Sequence, residues 1–299
     1  MKINDRIKLG IWLSLITFQA LANTVKAADV NTAKPLDIIY PVLRKGSELD
    51  QYALRLAKFL LAKSPTPVRF IAYNKVINSQ QRKVLLLKQG VLSLDWLGSD
   101  DWIEQQVTAV PFPIFRGLLG HRIFIVNQQY EQQLRQVKTV QQLRQFSMVQ
   151  GQGWGDTGIL RSAQFNVKEI ADFDTLFKLV EAGRIQLFPR AIFEPYGELA
   201  ARPQLTQLTI DDTLMLVYKY PMFFYVSPTK ANHKLAVLLT QSFQQAYQDG
   251  SFLQFFTQDP LIKKTLARVK MSQRITFVID NPHLTGISKA IASQYWYFH

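Results

Sequence analysis

Glycines at positions 151, 153 and 155 frame the loop Gly151-Gln152-Gly153-Trp154-Gly155-Asp156, the stretch of this sequence best suited to hold an anion. It lies between an expected strand and an expected helix, where exposed backbone N–H groups and the helix dipole attract negative charge. It departs from the dinucleotide pattern GxGxxG because Asp156 stands in the third glycine's place. The preferred reading is a carboxylate ligand at the helix start. The other is a tight turn bent by its glycines, with Asp156 as an N-cap.

Arg116, Arg122 and Arg190 stand beside strand ends or expected crossings between lobes. There a guanidinium can grip a ligand carboxylate through two parallel hydrogen bonds, or close an ordinary salt bridge. Arg190 is the strongest of the three, because Phe188-Pro189-Arg190 follows an expected buried strand and Glu194 comes one helical turn later. Tyr40, Trp96 and Trp154 fall at strand ends or in the loop. An aromatic face in such a place covers a ligand or packs into the core, and for Trp96 core packing is the expectation. Other chemistry lacks its residues. The four histidines, His121, His233, His283 and His299, have no metal-ligand spacing, and the chain holds no cysteine, no GxSxG and no Walker loop. No metal, cofactor or catalytic residue is expected.

The elements that must position these side chains alternate between strand and helix, the pattern of an α/β protein with mainly parallel sheets. Strands are expected at 36–41, 68–73 and 91–97, with a helix from Ser47, where Asp50 takes a capping-box place, and another over 80–88. Leu49, Tyr52, Ala53, Leu56 and Leu60 form the first helix's apolar stripe. Pro111 and Pro113 disfavour helix in 110–120, which reads as a crossing into a second lobe. That lobe is expected to hold strands at 121–126, 147–150, 167–170 and 184–188, and a helix capped by Asp172 and ended at Gly183. Strands at 214–218 and 222–226 flank Pro221, the return crossing, and helices follow at 233–247 and 251–269. Crossings near 112 and 221 divide the chain into one lobe of 34–115 plus 222–299 and a second of 116–221, with a cleft between them.

The N-terminus has the three parts of a secretory leader: Lys2, Arg6 and Lys8, an apolar run from Leu9 to Ala22, and the small-x-small end Ala20-Leu21-Ala22. Residues 1–22 are read as a cleavable signal peptide, with Val25-Lys26-Ala27 as a later alternative cut. The run is short of the roughly 20 apolar residues of a spanning helix, and no later stretch qualifies. The absence of cysteine excludes disulfides and a lipid anchor through an N-terminal cysteine, which points to a soluble periplasmic protein. The net charge is +13; losing three cations and Asp5 with the leader leaves +11. Such a surface favours anionic partners. The basic residues are spread along the chain without a dense run, however, and nucleic acid is not expected.

The order of the pieces resembles the extracytoplasmic solute-binding proteins of family 3, over roughly residues 34 to 270. The stretches FRGLLGHRIFIV, GQGWGDTGIL and GRIQLFPRAIFEPYGEL resemble a proteobacterial branch of that superfamily. The resemblance implies a two-lobed type 2 periplasmic-binding fold, a monomer that closes on an amino acid or organic acid, and an inner-membrane transporter or sensor as partner. It implies Tyr40 as an aromatic wall, Arg116 near the carboxylate-gripping arginine, and Gly153 to Thr157 as a cradle for the same carboxylate. This chain departs from the family where Gln186 and Arg190 replace the acidic residues that hold an amino group. Arginine cannot accept from an ammonium, so an anionic ligand is expected unless Asp156 or Glu194 takes that role. Some relatives are dehydratases acting on cyclic acids. That alternative would need Glu194 or Asp156 as the acid.

Overall fold

The computed structural model describes residues 34–297 apart from 45 and 78; the leader and both its cut sites lie outside them. Twelve strands follow in chain order: β1 (Leu36–Tyr40), β2 (Val68–Ala72), β3 (Leu94–Gly98), β4 (Thr108–Val110), β5 (His121–Asn127), β6 (Met148–Gly151), β7 (Val167–Ile170), β8 (Leu187–Ala191), β9 (Leu208–Ile210), β10 (Leu214–Val217), β11 (Met222–Val226) and β12 (Ile275–Val278). β1 and β2 pair in parallel, and β11 runs antiparallel between β3 and β4. Ser93 N donates to Ile39 O at 2.7 Å, tying the two sets into one layer. The second layer has the order β12-β10-β5-β8-β6-β7, with β9 also beside β5. The layers are the two lobes of an α/β fold.

Apolar patterning accounts for most of this. β3, β8 and β11 are buried at every position, as strands covered on both faces must be. The helix Glu48–Ala62 buries its whole expected stripe, including Tyr52, Leu56 and Leu60, and packs on the helix Lys230–Gln248. The crossings run side by side: Tyr218 N donates to Gly120 O at 3.0 Å and Ile114 N to Met222 O at 3.0 Å.

Five details differ from the sequence reading. The sheets are mixed and not mainly parallel, because the strands next to the crossings run against their neighbours: β11 is antiparallel to β3 and β4, and β5 to β8, β9 and β10. The helix expected over 251–269 is two, Ser251–Gln258 and Pro260–Val269, because Pro260 lacks an N–H and pushes Asp259 to an extended ψ of 132°. Asp50 does not close a capping box. Ser47 accepts from Asp50 N at 3.2 Å, but the Asp50 carboxylate is drawn to Arg44 and Trp96. The strand expected at 184–188 lies three residues later, because β8 pairs with all of Arg122–Val126 and so carries Pro189 and Arg190 inside the sheet. Finally, β12 pairs in parallel with β10. The boundary 222–299 for the first lobe is therefore too wide, since Ile275–Val278 belongs to the second layer.

Candidate functional site

Charged side chains where the two layers meet form the candidate site, all but the exposed Arg44 largely buried. Arg122 is on β5, and the sheet register sets it opposite Ala191, next to Arg190 on β8. The helix Asp156–Ser162 starts directly after the glycine loop and points Asp156 at the same place. Arg122 Nη2 lies 2.8 Å from Asp156 Oδ2, and its Nε donates to Tyr218 Oη at 2.9 Å. Tyr218 donates in turn to Asp156 Oδ2 at 2.9 Å, and Gln150 Nε2 donates to the same oxygen at 3.1 Å. Arg190 is held by Glu198 through two bonds, 2.9 Å from Nε and 2.6 Å from Nη2, and by Glu194 at 2.7 Å. Glu194 Oε2 stands 3.5 Å from Arg122 Nη1 and accepts from Ala191 N at 2.8 Å, which joins the two arginines into one network.

From the first layer, Asp50 accepts from Arg44 Nε at 3.0 Å and Nη2 at 3.1 Å, and from Trp96 Nε1 at 2.9 Å. Tyr40 stacks on Trp96 with ring centroids 6.5 Å apart. Arg44 faces Glu194 and Glu198 electrostatically across the cleft.

Burial and pairing set the charge states. Burial alone would raise Asp50's pKa, but the Arg44 guanidinium, with Lys83 and the Trp96 N–H, holds it well below the usual carboxylate range. Burial raises Glu194 above its ordinary value, partly opposed by Arg190 and reinforced by Glu198. Burial would lower Arg122, yet Tyr218, Asp156 and Glu194 keep it above the ordinary guanidinium value. Burial drives the Tyr218 hydroxyl well above the usual phenol range, so it stays a donor.

The expected site residues divide into two groups. Tyr40, Asp156, Thr157, Arg190 and Glu194 gather here. Trp154 lies beside them, with the Arg190 guanidinium 4.9 Å from its ring. A side chain at Gly151 would strike that indole, which is why a glycine ends β6. Gly153 N–H, expected to meet a ligand, donates instead to Glu169 Oε2 at 3.0 Å. Arg116 is elsewhere. Its Nη2 donates to Trp296 O at 2.9 Å and its carbonyl accepts from Tyr297 N at 2.6 Å, so it secures the aromatic C-terminal segment at the crossing. Sequence reasoning passed over Arg44, Asp50, Gln150, Glu198 and Tyr218. Glu198, eight residues after Arg190 and four after Glu194, carried a signal in its helical spacing. The other four carried none, because their meeting depends on the packing of the layers.

No protein-family model matches the chain, and no curated protein is similar to it in sequence. Solved structures share the fold. An ancestral arginine-binding protein bound to glutamine has a TM-score of 0.54 at 13% identity, over 75% of this chain and 97% of that one. A protein from Wolinella succinogenes DSM 1740, described as a binding component of an ABC transporter and complexed with lysine, has a TM-score of 0.53 at 13% identity, over 77% and 99%. The GluR0 ligand-binding core complexed with L-glutamate has a TM-score of 0.53 at 10% identity, over 75% and 97%. The class the chain shares with them is the two-lobed binding-protein fold. Among the described residues no helix is long and apolar enough to cross a membrane.

Proposed function

We propose that this is an exported solute-binding protein, of the family 3 branch its motifs resemble. It works as a periplasmic monomer that captures a small zwitterionic amino acid between its lobes. It then passes the solute to an inner-membrane transporter or sensor. The observation that carries the reading is a pair of unsatisfied buried atoms, one on Gln150, which bonds Asp156, and one on Thr157, the next residue after it. Gln150 Oε1 and Thr157 Oγ1 are buried without a hydrogen-bond partner, on either side of Asp156 in the chain. Leaving a buried polar atom unpaired costs about 1–3 kcal/mol, a cost a bound ligand with N–H or O–H groups removes. The neighbours that share the fold are complexed with glutamine, lysine and glutamate.

The network also constrains the ligand's charge. Arg44, Arg122 and Arg190 face Asp50, Asp156, Glu194 and Glu198, and Lys83 also stands by Asp50, so the network holds no excess of cations. A dianionic organic acid would add charge of the wrong sign, and Arg190 already spends its guanidinium on Glu194 and Glu198. A zwitterion adds no net charge. Binding is favoured over dehydratase chemistry because both Glu194 oxygens are already bonded, to Arg190 and to Ala191 N.

Thermal-shift screening of the twenty amino acids against a set of dicarboxylates tests this. At least one zwitterion should raise the unfolding midpoint in proportion to its concentration over Kd. Thr157→Val should weaken that ligand roughly tenfold, the loss of about one hydrogen bond, without lowering the stability of the free protein. Stabilisation by dicarboxylates alone, or by nothing in the set, overturns the reading.

A further inference from the structure

A cavity of about 1110 Å³ opens beside the crossing segments, on the other side of Tyr218 from the charged network. Its walls are largely apolar, with Met215, Val217, Leu266, Met271, Val278 and Trp296 among them. Val278, on the edge strand β12, is 74% exposed there, an apolar side chain left facing open space. Arg116, Lys219 and Lys270 also line it, against a single carboxylate, Asp280. Among the described residues, none of these three cations forms an ion pair. The buried Arg116 Nε has no hydrogen-bond partner.

The backbone gives an independent sign. Among the described residues, Arg116 lines this cavity in a left-handed conformation at φ 52°, outside any helix end; Lys270, at φ 49°, also lines it but takes that conformation as the C-cap of the helix Pro260–Val269. Such conformations are costly and cluster where a side chain must be aimed for function. Arg116 is kept in place by the C-terminal segment, through Tyr297 N to Arg116 O and Arg116 Nη2 to Trp296 O. Trp296 itself packs on Gly117, whose φ of 85° and crowded Cβ position leave room for no side chain.

We infer that this cavity is a second ligand site, for a single-chain alkyl carboxylate. The apolar walls take the chain, and Arg116, Lys219 and Lys270 take the headgroup. The volume lies just above the usual range of small-molecule sites and exceeds what an amino acid fills. Arg116 lies over the Phe256 and Tyr297 rings and Lys219 over Trp296, but the excess of cations without a carboxylate partner selects an anion over a neutral amphiphile. The site is distinct from the inter-lobe network but shares a wall with it. Tyr218 lines the cavity and also donates its hydroxyl to Asp156.

Isothermal titration of the purified protein with sodium octanoate, sodium decanoate and neutral octanol tests the inference. Decanoate should bind roughly tenfold more tightly than octanoate, as two further buried methylenes require, and octanoate more tightly than octanol. The double variant Lys219→Glu/Lys270→Glu should lose at least tenfold in decanoate affinity. Thr276→Trp, an exposed position on the cavity wall, should block binding by filling the space while leaving amino-acid binding intact. Equal decanoate affinity in the wild type and both variants overturns the proposal, as does octanol binding as well as octanoate. A panel without any amino-acid ligand would leave this result unaffected, so the two readings fail separately.

Discussion

The inter-lobe network and the cavity beside the crossings handle positive charge in opposite ways. Between the lobes, the Arg122 and Arg190 side chains are 4% and 3% exposed, and each is bonded to carboxylates. Around the cavity, Lys219 and Lys270 are exposed, Arg116 is half-buried, and none has a carboxylate partner. A charge removed from water must be paired within the fold or it costs more than folding can supply. A charge that keeps its water can remain unpaired until a ligand arrives. The buried arginines thus belong to the structure of the cleft, and the exposed cations are the ones free to meet an anion. Of the two roles that residue types allowed Arg190, an anion grip or a salt bridge, the fold takes the salt bridge.

The largest test of that contrast is Arg122→Ala. It strands Asp156 and weakens the hold on Glu194, so urea denaturation should show a loss of about 3–5 kcal/mol, the usual cost of breaking a buried pair from one side. A loss below about 1 kcal/mol would mean the network is solvated and the comparison fails. A smaller effect should appear with pH. Asp50 titrates below its unfolded value of 3.8. The unfolded chain therefore binds the proton first, and this carboxylate's stabilisation is full above that pH and lost as pH falls below it. Calorimetry from pH 6 to pH 3 should show the wild-type midpoint dropping more steeply than that of Asp50→Asn; parallel curves would remove Asp50 from the ionised network. The smallest effect is expected at the cavity. Lys219→Glu and Lys270→Glu should each change stability by no more than about 0.5 kcal/mol, measured by urea midpoints. A larger loss would make those lysines structural and erase the difference between the two regions.

Much of the molecule was legible beforehand, for reasons that particular elements make plain. The stripe Leu49, Tyr52, Ala53, Leu56, Leu60 repeats with the helical period, so its helix and buried face follow from spacing. The apolar run Met222–Val226 could only be an interior strand. The edge strand β12 was missed because only Phe277 of its four residues is buried, which leaves no pattern to read. The site was half legible. Asp156, Arg190 and Glu194 could be named because loop glycines and helical spacing are local signals. Arg44 and Asp50 could not be joined to them, because their approach depends on how two separate layers meet.

What the chain's residues determined alone is the alternation of strands and helices, the two crossings marked by Pro111, Pro113 and Pro221, and the presence of polar groups at the ends of buried strands. Those follow from backbone chemistry and apolar periodicity, which act over a few residues. Tertiary structure alone decided which cation meets which acid. It took Arg116 away from the cleft to hold the C-terminal aromatic segment, closed Arg190 onto Glu194 and Glu198, and left Lys219 and Lys270 open. The reason is that pairing is set by distances of about 3 Å between residues far apart in sequence, and only packing brings them that close.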